Sequence, residues 1–249
     1  MNMSELPFSF FQGLQFKMLE ISYSTLRNFT DTGETELEGL RQHLETIAIT
    51  HTIEDDFRLN VSSFKNLEIL DISYNDFKTV KKEWFEDTPS SLKSLTLYKN
   101  NIQKLEEGAF FEMSQLERLE LTTNRISEIK RNMFPGPGNK LRSLHLAYNA
   151  IKTIPRDFFT DMDSLKNLQL RYNRIEVLPR RTWESIWMTL NFLHLNGNPL
   201  KCDDGIEWMF YVPRPDHLTG KCFLPKQCRG KDLNKLIDEK ARENKKTQM

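Results

Sequence analysis

Leu67-Glu68-Ile69-Leu70-Asp71-Ile72-Ser73-Tyr74-Asn75-Asp76-Phe77 sets three apolar residues at fixed offsets before an asparagine, with Val80 and Phe85 following. The same arrangement returns about every 24 residues: Leu92, Leu95, Leu97, Asn100, Ile102, Leu105, Phe110; Leu116, Leu119, Leu121, Asn124, Ile126, Ile129, Phe134; and Leu141, Leu144, Leu146, Asn149, Ile151, Ile154, Phe159. Leu165, Leu168, Leu170, Asn173, Ile175, Leu178 and Trp183 make a further copy, and Leu190, Leu193, Leu195, Asn198 and Leu200 a last one. Upstream the pattern weakens to Leu44, Ile47, Ile49 and to Phe16, Leu19, Ile21. A fixed period of this length means stacked structural units, none of which can bury its apolar face alone.

Within each copy the alternation at Leu-x-Leu turns two apolar side chains to one side of a short strand and the residues between them to the other. Equivalent strands pair in parallel, spaced by about 4.8 Å, and each needs a return crossover lined from inside by the later Ile, Leu or Val and the Phe or Trp. The asparagine stands where the chain leaves the strand, and its amide can both donate to and accept from backbone groups the turn leaves unpaired. Ser24 and Thr52 occupy its place in the two upstream copies, which predicts looser turns there. The Leu-x-x-Leu-x-Leu-x-x-Asn pattern is identified as that of a leucine-rich-repeat solenoid, an α/β fold with a curved parallel sheet on the concave side and short helices or loops on the convex side.

Lys plus Arg equal Asp plus Glu over the 249 residues, so no global field draws in nucleic acid or an anionic membrane, and partners must be recognised locally. There is no apolar run of membrane-spanning length, and the opening Met1-Asn2-Met3-Ser4-Glu5 lacks the basic-then-apolar order of a signal peptide. Residues 1–15 read as the tail of a truncated repeat, which predicts that an N-terminal cap and a secretion signal either precede it or were lost from the gene. Residues 16–200 hold the repeats, 201–233 a cysteine-containing cap, and 234–249 a charged frayed helix or flexible tail. Gly136-Pro137-Gly138 follows no strand and opens no helix, so it reads as a bend on the convex return.

Asn198-Pro199-Leu200-Lys201-Cys202, followed by Trp208, Cys222, Pro225, Gly230 and Leu233, resembles the cysteine-flanked C-terminal cap of extracellular leucine-rich-repeat proteins of animals. Asp204 stands where that family has its second cysteine, so the usual two bridges cannot form. The resemblance implies a Cys202–Cys222 disulfide and leaves Cys228 as a free or intermolecular thiol. It also implies a secreted or cell-surface location and protein-protein binding, as in receptor ectodomains of the chaoptin and Toll type, adhesion proteins and matrix proteins. A second reading follows from the similar build of the non-catalytic subunit of oplophorus luciferase: an accessory subunit of a secreted oplophorus-luciferin 2-monooxygenase-like complex. Asn-x-Ser/Thr sequons stand at Asn2, Asn28 and Asn60, and the latter two are the glycosylation candidates.

Partner-binding candidates come from the strand positions turned away from the core. Tyr98, His145, Tyr148, Gln169, Arg171, Tyr172, Phe192 and His194 are the aromatic, imidazole, amide and guanidinium groups expected on or beside the concave face, gathered toward its C-terminal half. His145 and His194 lie two repeats apart, about 10 Å by strand spacing, too far to share a metal ion. No nucleophile elbow, phosphate-binding glycine loop or zinc-helix motif is present, so neither cofactor nor catalysis is expected.

Overall fold

The computed structural model describes residue 11 and residues 13–30 and 38–247. In chain order the elements are β1 (Met18–Ser22), β2 (Leu26–Thr30), α1 (Glu38–His43), β3 (Thr46–Thr50), β4 (Ile53–Asn60), β5 (Ile69–Asp71), β6 (Thr79–Val80), β7 (Ser94–Thr96), β8 (Lys104–Leu105), β9 (Arg118–Glu120), β10 (Ser143–His145) and β11 (Asn167–Gln169). They are followed by α2 (Arg180–Trp187), β12 (Phe192–His194), β13 (Leu200–Lys201), β14 (His217–Thr219), β15 (Cys222–Leu224) and α3 (Leu233–Thr247). Nine strands form one sheet in the order β1-β3-β5-β7-β9-β10-β11-β12-β14. Every pairing in it is parallel, and the apolar rungs stand in register: Leu19 on Ile47, Ile47 on Leu70, Leu70 on Leu95, and so to Leu168 on Leu193 and Leu193 on Leu218.

Leu70, Leu95, Leu119, Leu144, Leu168 and Leu193 are all fully buried, while the residues on either side of each point out. Behind the sheet runs an aromatic column. Phe85 lies 5.7 Å from Phe110, Phe110 6.2 Å from Phe134, Phe134 5.0 Å from Phe158, and Phe159 5.1 Å from Trp183. Each ring is thus shared between neighbouring repeats, which is why no single copy closes its own core.

The convex returns are built from 3-10 turns such as Lys82–Trp84 and Arg131–Met133, the helix α2, and two small strand pairs, β2 with β4 and β6 with β8. The pair β2–β4 is a departure from the expected short helices or loops. Its register carries Phe29 opposite Leu59, and Phe29, Phe57 and Leu59 are buried.

At the C-terminal end Cys202 and Cys222 form a disulfide with Cα atoms 5.6 Å apart, and Cys228 is a half-buried free thiol. Trp208 donates its indole N–H to Leu178 O at 3.0 Å and meets Trp187 edge-on at 5.0 Å. One feature extends beyond the expectation from sequence: the cap segment contributes β14, a ninth strand of the main sheet. The charged run after Leu233, expected as a frayed helix or flexible tail, is helical through Thr247, with Leu236 and Ile237 buried. Leu233, Leu236 and Ile237 bury the first turns of that helix against the cap. Residues 1–10 and 12, including the Asn2 sequon, and the side chain of Asn28 lie outside the described residues. Asn60 ends β4, where its Oδ1 accepts from Ser62 N at 2.9 Å and Ser62 Oγ at 2.7 Å.

Candidate interaction face

The strands turn three columns of side chains to the concave side. One runs Ile69, Ser94, Arg118, Ser143, Asn167, Phe192 and His217; the next Asp71, Thr96, Glu120, His145, Gln169, His194 and Thr219. The third, two residues on, holds Ser73, Tyr98, Thr122, Ala147, Arg171 and Asn196. Tyr98, His145, Gln169 and Arg171 line one shallow basin of about 380 Å³ together with Asp71, Ser73, Tyr74, Thr96, Glu120, Thr122 and Ala147. Phe192 and His194 sit on β12, the strand next to Gln169.

Tyr148 and Tyr172 are not among the basin's lining residues; they belong to a column in which the residue at the turn position, before Asn or its Ser24 and Thr52 equivalents, takes a left-handed backbone conformation. Tyr23, His51, Tyr74, Lys99, Thr123, Tyr148 and Tyr172 all have φ between 52° and 59°, and Gly197 completes the series at 78°. For a residue with a Cβ this costs about 1–2 kcal/mol, which is offset here because its N–H bonds to the next repeat, as in Tyr148 N to Arg171 O at 2.7 Å and Tyr172 N to Asn196 O at 2.8 Å. The side chains then project along the sheet edge and stack. Tyr148 and Tyr172 lie 4.5 Å apart and nearly parallel, and each is about half exposed, at 48% and 51%. A second stack, Tyr23–His51–Tyr74, occupies the N-terminal end, with Lys99 Nζ 5.1 Å from the Tyr74 ring centre. The sequence offers no cue to it beyond the residue types, since their left-handed geometry is a property of the turn.

Charge on the face is arranged around Glu120, which is 9% exposed. Its Oε2 accepts from Arg118 Nη2 at 3.0 Å and from His145 Nδ1 at 2.5 Å, and its Oε1 from Thr122 N at 2.9 Å. Burial pushes this carboxyl up, but the hydrogen bonds from His145 and Thr122 and the His145 charge outweigh it and hold it below the usual carboxylate value. His194 is held below the ordinary imidazole value, first by burial and then by the charges of Arg171, His217 and His145. Its Nδ1 is 3.1 Å from Thr219 Oγ1. Phe192 stacks on His217 at 4.5 Å. His217 and Thr219 are members of this face that the repeat pattern misses, since β14 carries a single inward Leu218 and no turn asparagine.

The pattern of the family described as "Leucine rich repeat" matches residues 65–126, 90–137 and 139–200, more than half of the chain. The chain belongs to the leucine-rich-repeat family. Domains of this family generally mediate protein-protein interaction and are typically non-catalytic. No curated protein matches the chain significantly.

Proposed function

We propose that this chain is a non-catalytic, extracellular binding module that takes a protein partner, such as a receptor or matrix protein, on the concave sheet face and its adjoining tyrosine edge. The observation that carries the reading is the coincidence, on one rigid parallel sheet, of the exposed Tyr148–Tyr172 stack with Arg171, His194 and Phe192 on adjacent strands. Aromatic rings held by stacking lose little freedom on binding, and guanidinium donors add direction. The Cys202–Cys222 bridge favours an oxidising compartment. No helix among the described residues is long and apolar enough to cross a membrane.

The test is alanine substitution against a captured partner. Tyr148→Ala or Tyr172→Ala weakens binding by about 1–3 kcal/mol with the melting midpoint near that of the parent, whereas Arg156→Ala on the convex side does not. Loss of binding with Arg156→Ala and retention with both tyrosine variants would place the site on the outer surface. Mass spectrometry of the secreted protein, alkylated without reductant, should show one modified thiol, Cys228; three would argue against the extracellular reading.

A further inference from the structure

The concave face is electrically polar along its length. On the N-terminal strands its second column carries Glu20 and Asp71, residues in register through β1, β3 and β5. In the middle, Glu120 is neutralised by Arg118 and His145. From β10 to β14 the three columns hold His145, Arg171, His194 and His217 and not one carboxylate. Arg171 is exposed and, among the described residues, its side chain makes no ion pair or hydrogen bond. It rises beside the small, buried Ala147, so space is open around the guanidinium. In the same basin Gln169 spends its amide N–H on Asn167, 3.1 Å away.

We infer that the C-terminal half of the concave face binds an acidic protein segment, with an Asp or Glu carboxylate of the partner seated on Arg171 between Gln169 and His194. A planar guanidinium without an internal partner is the group best suited to bidentate carboxylate recognition. Glu120 is not that partner within the fold: its oxygens bond to Arg118, His145 and Thr122, and no bond joins it to Arg171. The acidic N-terminal strands repel the same segment, which fixes where along the sheet it lies. This inference rests on the concave face being the interface and adds the chemistry of the partner.

The experiment uses the full chain and a display library of random twelve-residue peptides, with selected peptides resynthesised and measured by fluorescence anisotropy. Expected are sequences enriched in Asp and Glu, whose affinity falls on the order of tenfold or more with Arg171→Gln, is partly kept by Arg171→Lys, falls with added salt, and is unchanged by Arg156→Gln. Melting curves of the variants exclude loss of fold, which an exposed side chain is not expected to cause. Selection of basic or neutral peptides that lose binding with Tyr148→Ala or Asp71→Asn would overturn the acidic partner while leaving the concave interface standing. Peptides indifferent to every concave substitution would overturn both. Arg171-dependent binding of a sulfated oligosaccharide, with acidic peptides failing to bind, would also overturn the inference.

Discussion

The first two repeats and the six that follow share one strand register but satisfy the turn after the strand in different ways. In the six repeats from β5 to β12 an asparagine closes each turn. Asn124 is representative: its Nδ2 donates to Leu97 O in the preceding repeat at 2.9 Å and to Leu121 O in its own at 3.0 Å, while its Oδ1 accepts from Ile102 N at 3.2 Å. Asn100, Asn149, Asn173 and Asn198 also donate both within and across repeats. Thr52 instead donates from Oγ1 to Thr50 O within its own turn, at 2.6 Å, and Ser24 Oγ reaches Ser22 O at 3.4 Å. The β3 turn is served from the next repeat, where Asn75 accepts from Thr52 N and donates to Ile49 O, both at 2.8 Å, and on the other side of the solenoid β2 and β4 pair along the return path. Buried backbone groups must find partners in any fold; from β5 to β12 each turn carries its own amide, whereas the N-terminal turns carry only a hydroxyl and the longest return-path pairing, β2 with β4, lies behind them.

That contrast is broken most directly at its strongest point. Asn124→Ala leaves Ile102 N buried without a partner and takes one of two amide donors from Leu97 O and from Leu121 O, which keep Asn100 and Asn149, and should cost on the order of 2–3 kcal/mol, whereas Thr52→Ala should cost about 1. Denaturant unfolding of both variants measures the difference. Equal losses would mean that the amide ladder has no special part in holding the repeats together.

The left-handed column offers the next test, because seven of its residues carry side chains and only Gly197 does not. A Cβ at Gly197 would sit 2.5 Å from Cδ1 of Tyr172, inside any tolerable contact. Gly197→Ala must therefore displace the Tyr172 ring as well as accept a left-handed alanine, for about 1–2 kcal/mol. Near-ultraviolet circular dichroism should report the disturbed Tyr148–Tyr172 stack. An unchanged spectrum and melting midpoint would show that the ring moves freely and is not a fixed anchor.

How much of this was legible in the sequence follows the same division. The strands from Leu67 to Leu200 and the turn asparagines could be read directly, because a strict period repeats the same physical demand six times. The β2–β4 pairing was not, since Leu26–Thr30 and Ile53–Asn60 lack a common spacing and their pairing shifts register between Leu26 and Asn28. Nor was β14, whose single inward leucine cannot establish a period. On the face, residue type marked Arg171, His194 and the tyrosines. The Glu120–His145–Arg118 cluster joins side chains from two strands, and only the register shows that they meet.

Thr52→Asn sharpens the comparison from the weaker side. If the amide reaches the backbone of the β1 repeat as its counterparts do, it should add about 1 kcal/mol. Amide exchange in β1 and β3, expected to be faster than in β7 to β12 because Leu14 and Met18 leave that end poorly covered at 49% and 54% exposure, should slow by roughly fivefold. Unchanged exchange would mean that the return-strand pair, and not the turn, limits opening there.

The smallest effect expected is a pH dependence that arises from the middle and C-terminal strands of the face. The Glu120 carboxyl is depressed in the fold, so the unfolded chain binds more protons in acid. The stabilisation is complete above the ordinary value of 4.5 and is lost as pH falls through the lower folded value. His194 is depressed too, which favours its neutral form in the fold: its contribution is complete above 6.5 and declines as pH falls below that. Both groups therefore make the protein less stable on acidification, in two separate windows. Unfolding free energies measured from pH 7.5 to 3 should show His194→Gln removing the decline that starts below 6.5, and Glu120→Gln removing the part below 4.5. Thr52→Asn, on the other side of the molecule, should shift the whole curve without changing its slope. If it alters the slope as much as the two face variants do, the halves of the sheet are electrostatically coupled and cannot be treated as the separate regions described here.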